Sequence, residues 1–120
     1  MNNFTFFVDL DGVLVDFVGG VCDIFDLNPA LVKRDWPVGD YDVVARINSF
    51  LDVEISANTF WGEIERKDSF WENLLPLEIG FNVLDELRKL GDICLLTAPT
   101  LDPNCCAGKT RWIQKWFGKN

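Results

Sequence analysis

Phe4-Thr5-Phe6-Phe7-Val8-Asp9-Leu10-Asp11-Gly12-Val13-Leu14-Val15-Asp16-Phe17 is the stretch on which the fold of this chain turns. Its first five residues are apolar or β-branched, the signature of a strand buried on both faces. The run stops at two aspartates separated by Leu10, so on an extended backbone Asp9 and Asp11 point the same way. Gly12 allows a sharp turn directly after them. A buried strand that delivers paired acids to its C-terminal end is the usual placement of a site in an open α/β sheet. An isolated Asp-x-Asp-Gly is more often a plain turn capped by its first aspartate. The apolar residues on both sides, and two partner motifs downstream, argue against that here. An EF-hand loop needs a third acidic or amide ligand before its glycine and a closing glutamate, and this stretch has neither.

Asp9-Leu10-Asp11-Gly12-Val13-Leu14-Val15-Asp16-Phe17 resembles the first motif of the haloacid dehalogenase (HAD) superfamily. Its Gly-Val-x-x-Asp-Phe extension is similar to that of the 5'(3')-deoxyribonucleotidase branch. The resemblance implies that Asp9 is a nucleophile and Asp11 a general acid and base.

Bulk composition limits the other readings. A chain of 120 residues with 48% hydrophobic content suits one domain with an ample core. The net charge of -8 argues against nonspecific binding of nucleic acid polymers. The sequence contains no histidine, which removes a Ser-His-Asp triad, Cys-His catalysis and most zinc sites. Cys22, Cys94, Cys105 and Cys106 contain no Cys-x-x-Cys spacing, and Cys22 and Cys94 lie in apolar runs as small buried hydrophobes. A reduced, cytoplasmic protein is expected. No apolar run reaches the ~20 residues of a membrane span, and no signal peptide is recognisable.

Residues 15–75 read as a series of short helices. Val15, Phe17, Val18, Val21, Cys22, Ile24 and Phe25 recur at helical spacing, interrupted by Gly19-Gly20, which admit a close approach. Asn28 is placed to cap a short helix starting at Pro29. Val43 to Leu51 makes a further apolar stripe, and Asn58-Thr59 the start of another helix. The α/β pattern resumes at Pro76. Phe81, Val83, Leu84, Leu87 and Leu90 form an amphipathic helix, with Gly91 read as its left-handed C-terminal cap. Ile93-Cys94-Leu95-Leu96-Thr97 is a second strand. A strand, a helix and a parallel strand form a right-handed unit almost without exception, which sets Thr97 beside Asp9. Residues 100–108 read as loop, with Lys109 in the first turn of a last helix. A cation is disfavoured there by the helix dipole, and a nearby anion would relieve the conflict.

Thr97-Ala98-Pro99 resembles the second superfamily motif, and Lys109-Thr110-Arg111-Trp112 the third. The expected fold class is therefore α/β: a HAD-like Rossmannoid core, with its parallel sheet reduced, over residues 1–14 and 76–120. A helical cap inserted after the first strand occupies residues 15–75. The resemblance implies a Mg2+-dependent phosphate monoester hydrolase working through an aspartyl phosphate. Asp9 and Asp11 would be catalytic and would hold Mg2+, with Thr97, Ala98 and Lys109 binding phosphate. The Asp16-Phe17 extension implies a 5'-nucleotidase, its substrate a (deoxy)nucleoside monophosphate. Phe17 and Trp71 are available to stack on the base, although most of the cap aromatics read as cap core rather than ligand platform. Another small phosphomonoester is the alternative substrate. No acid follows Asp102, whereas the superfamily's fourth motif is a late acidic pair. The chain thus reads as an N-terminal part of such an enzyme or a shortened form, and a catalytically silent module is the alternative function. The unpartnered strand edge that results is expected to favour a homodimer.

Overall fold

The computed structural model describes residues 4–37, 39–98, 100 and 102–118. Pro99, the last residue of the second motif, lies outside them. Two strands and six helices follow one another among the described residues: β1 (Thr5–Asp9), α1 (Phe17–Phe25), α2 (Pro29–Lys33), α3 (Val43–Asn48), α4 (Ala57–Arg66), α5 (Glu78–Arg88), β2 (Asp92–Leu96) and α6 (Pro103–Phe117). The chain is a small mixed α/β domain. Its sheet is the parallel pair β1-β2, in a register that sets Asp9 opposite Leu96.

The strands are covered on one face only. Phe6, Val8, Ile93 and Leu95 turn inward, whereas Thr5, Phe7, Asp92, Cys94 and Leu96 are exposed. This corrects the expectation of burial on both faces, and of a buried Cys94. The apolar run of β1 presents Phe7 to solvent at 65% exposure, because among the described residues no layer lies on that side. The overall shape agrees: the molecule measures 55 × 31 × 19 Å. Its thinnest dimension fits two layers spaced by about 10 Å rather than three.

Side chains set the helix boundaries. Asp16 caps α1, its carboxylate accepting from the Gly19 N–H at 3.0 Å, and pairs with Lys33 of α2 at 2.8 Å. Asn28 caps α2, with Pro29 at its first position, as the sequence led us to expect. α4 begins earlier than expected, since the Ser56 hydroxyl rather than Asn58 or Thr59 is the cap. Gly91 is not a left-handed cap. A Cβ there would lie 2.4 Å from the Phe4 carbonyl oxygen, so glycine is required by the contact of the α5–β2 turn with the start of β1. Gly20 likewise makes room for Leu74 and Phe70.

One apolar cluster runs from Leu10 and Leu14 through Val21, Val32, Ile47, Phe60 and Ile64 to Leu84 and Trp112. The points where the chain leaves for α1–α4 and returns are tied together. Val15 bridges Pro76, the Asp16 N–H donates to the Leu75 carbonyl, and the Leu77 N–H donates to the Leu14 carbonyl, both at 2.8 Å. The four helices thus hang as one excursion from a single crossing. Trp112 of α6 anchors that crossing by donating its buried indole N–H to the Leu74 carbonyl at 2.8 Å. Among the described residues no helix is long and apolar enough to cross a membrane.

Candidate active site

The site forms where β1 and β2 end side by side. The Leu10 N–H continues the ladder by donating to the Leu96 carbonyl at 3.1 Å, which sets Thr97 next to the turn that follows β1. That turn winds around one carbonyl: Leu10 accepts from the N–H groups of Val13, Leu14 and Val15, at 3.2, 2.8 and 2.9 Å. Gly12 adopts φ +78°, a conformation that side-chain-bearing residues rarely enter, and donates to Val15 at 3.0 Å. Leu10 itself is fully buried, so the turn is pinned from below while Asp9 and Asp11 remain accessible on either side of it.

Lys109 closes the site. Its ammonium donates to Asp11 Oδ2 at 2.7 Å and to Thr97 Oγ1 at 2.5 Å. Lys109 is buried, 6% exposed, and its Nζ lies 5.1 Å from the centroid of the Trp71 ring. A buried ammonium needs such partners to offset its lost hydration. Two of its three N–H groups are thereby spent, and no described residue accepts from the third. The helix that carries it starts six residues sooner than expected. Asp102 caps α6 by accepting from the Asn104 N–H at 3.1 Å, and Pro103 takes the first position. Lys109 therefore stands in the second turn of α6, where the dipole conflict inferred from the sequence does not arise. The Asp102-Pro103 signature, available in the sequence, marks the true start.

The remaining expected site residues divide into two groups. Asp9 is exposed, and among the described residues its carboxylate has no partner. The Ala98 N–H is equally unengaged by any described residue. Phe17 and Trp71, by contrast, belong to the aromatic interior. Their rings stack at 5.5 Å and 16°, Phe17 also stacks on Trp61 at 6.1 Å, and Phe70 meets Trp71 edge-on at 5.1 Å. Trp71 is 6% exposed, so its ring serves as a wall behind Lys109. Trp61 is the aromatic not singled out from the sequence as a site residue. With Ile64, Glu65, Trp71, Thr100 and Asp102 it lines a cavity of about 250 Å³ that shares the Trp71 wall.

As a chemical assembly, the site offers two carboxylates, one hydroxyl, one ammonium and unengaged backbone groups. Among the described residues the Asp11 carbonyl accepts no hydrogen bond, and no set of three or more His, Cys, Asp or Glu side chains converges. The available donors are all hard oxygens, suited to Mg2+ and unsuited to zinc. Asp9, Asp11 and Lys109 sum to one negative charge, so a phosphate dianion would enter against repulsion without a divalent cation. No protein-family model matches the chain, and no curated protein matches it.

Proposed function

We propose that the chain has a HAD-like α/β core and that its site hydrolyses phosphate monoesters through an aspartyl phosphate. The observation that carries this reading is the Lys109 ammonium bridging Asp11 and Thr97 at the ends of two parallel strands. Asp9 attacks phosphorus, forming a P–O bond to its carboxylate as the bond to the leaving oxygen breaks. Asp11 supplies a proton to that oxygen, then takes one from the water that opens the acyl phosphate, releasing inorganic phosphate and free Asp9. The Thr97 hydroxyl, the Ala98 N–H and the Lys109 ammonium hold the equatorial oxygens, where preorganised donors lower the barrier most. The Asp9 carboxylate and the Asp11 carbonyl would hold Mg2+, which would neutralise the charge that the acids and the phosphate bring together.

The substrate class we favour is a nucleoside monophosphate, its base resting in the cavity walled by Trp61 and Trp71 beside the bridging lysine. Other small monoesters are the alternative. A second reading, a module without turnover, is favoured by the absence of a third converging acid among the described residues. Phosphate release from nucleoside monophosphates and from p-nitrophenyl phosphate in Mg2+ separates the two. Turnover that is lost in Asp9→Asn and accompanied by acid-trapped phosphate on Asp9 supports the hydrolase. No turnover of any monoester by the folded parent supports the silent module.

A further inference from the structure

β1 has a partner along one edge only. The ladder runs from the Asp92 N–H donating to the Phe4 carbonyl at 2.9 Å to the Leu10 N–H donating to the Leu96 carbonyl at 3.1 Å. In a parallel pair this assigns the backbone groups of Phe4, Phe6, Val8 and Leu10 to β2. The N–H and C=O groups of Thr5, Phe7 and Asp9 therefore point to the opposite edge, where no described residue meets them. Their side chains share the bare face of the sheet. On the other face α5 packs against β2, with its Gly80 against the Val13 carbonyl in the turn after β1 and Gly91 of the α5–β2 turn against the Phe4 carbonyl. Its Ile79 and Val83 are exposed at 81 and 53%, and Leu90 of the following turn at 60%. Ile79 and Val83 line, with Gly12 and Val13, an open apolar groove of about 510 Å³.

We propose that this edge is a homodimer interface in which β1 pairs antiparallel with β1 of a second copy, about a two-fold axis at Phe7. An edge of alternating donors and acceptors is satisfied by another strand. This strand is complementary to itself. With Phe7 on the axis, Thr5, two residues before it, faces the partner's Asp9, two residues after, and Asp9 faces the partner's Thr5. Hydroxyl meets carboxylate and ring meets ring, the pairs that stabilise antiparallel sheets. Sliding the register by two residues instead sets Phe7 opposite Thr5 or opposite Asp9, mismatching both pairs. Thr5–Asp9 contains no Lys or Pro to discourage pairing. The same two-fold sets both copies of α5 on one side of a four-stranded sheet and the two Phe7 rings together on the other, so one contact pairs the open edge and shields Phe7. It also brings the partner's Thr5 hydroxyl to the Asp9 carboxylate, making the candidate site partly intersubunit. Each copy bears a net charge of -8, so salt strengthens the association. The proposal does not rest on the hydrolase reading.

Sedimentation of the parent at tens of micromolar should give twice 13.7 kDa. Phe7→Lys and Phe7→Glu each set like charges on the axis and should weaken association about tenfold or more, whereas their mixture should restore a heterodimer. In the parent, amide exchange at Phe7 should slow as concentration rises, a readout independent of any variant. A monomeric parent, a Phe7→Lys variant that stays dimeric, a mixture that stays monomeric, or concentration-independent exchange at Phe7 would each overturn the proposal.

Discussion

Two clusters meet at Trp71, and they are built in opposite ways. On one side Asp11, Thr97 and Lys109 form a polar knot, joined across a separation of 98 residues between Asp11 and Lys109 and open to solvent through Asp11 and Thr97. On the other, Phe17, Trp61, Phe70 and Phe60 form an aromatic interior drawn wholly from residues 17–71. The knot exists only because β1, β2 and α6 converge, and its net contribution to stability is small. Hydrogen bonds to a charged group contribute about 1.5–3 kcal/mol each before the cost of desolvating the lysine. The aromatic cluster concentrates buried area, each ring removing roughly 150–250 Å² from water. Chemistry and stability are thus separated on the two sides of one indole.

That separation is broken most severely by Asp9. Asp9→Asn should lower any phosphomonoesterase activity by on the order of 10³-fold or more. Its melting temperature should match the parent's, because Asp9 is exposed and the nearly isosteric amide can still accept a hydrogen bond. Equal turnover by the variant would refute the covalent mechanism. Phe60→Ala should act in the reverse sense, costing about 3–5 kcal/mol of stability from a fully buried ring. Urea unfolding measures this, and a loss below about 1 kcal/mol would show that the aromatic cluster is not the stabilising side.

Lys109→Met probes the seam between the two. It should cut kcat/KM by about 10²-fold. Stability should fall by no more than about 1–2 kcal/mol, since the freed Asp11 and Thr97 groups both reach water. A variant that fails to fold would mean that the ammonium is part of the core rather than of the site. Mg2+ should bind in the range of about 10⁻⁴–10⁻³ M, as for sites with few anionic ligands. Calorimetry giving micromolar affinity would require a further acid at the site.

The smallest effect concerns Cys22, buried beside the aromatic cluster. Burial pushes its thiol above the ordinary value of 9.0, nearby Asp16 and Asp23 add to this, and Lys33 opposes it. Above pH 9.0 the unfolded chain loses this proton while the folded one retains it, so stability should decline as pH rises. Cys22→Ala should flatten that alkaline slope in unfolding measurements. An unchanged slope would assign the decline to other groups.

Much of the arrangement was legible along the chain. Asp9-Leu10-Asp11-Gly12 predicted a strand end, a sharp turn and paired acids, and each is present. Asn28-Pro29 announced α2, and the strand–helix–strand order brought Thr97 to the end of β1. Where expectation failed, the missing information was a neighbour. Gly91 reads equally well as a helix cap or as a close contact, and only the position of Phe4 distinguishes them. The start of α6 is different in kind, because the Asp102-Pro103 cap signature lies in the sequence itself, within residues 100–108 that read as loop.

What the sequence determined by itself is local: residue type and spacing set element boundaries, the turn at Gly12 and the acids at a strand end. It also settled what cannot occur, since a chain without histidine has no imidazole chemistry. Tertiary structure alone decided which apolar residues are covered. Phe6 and Phe7 are chemically identical neighbours, yet Phe6 turns toward the core and Phe7 is 65% exposed. Side chains alternate along a strand, and burial then depends on whether a layer exists on each side. The pairing of Lys109 with Asp11 is likewise tertiary, because no local propensity spans 98 residues. Only the convergence of β1, β2 and α6 on the Trp71 wall brings that ammonium between a hydroxyl and a carboxylate.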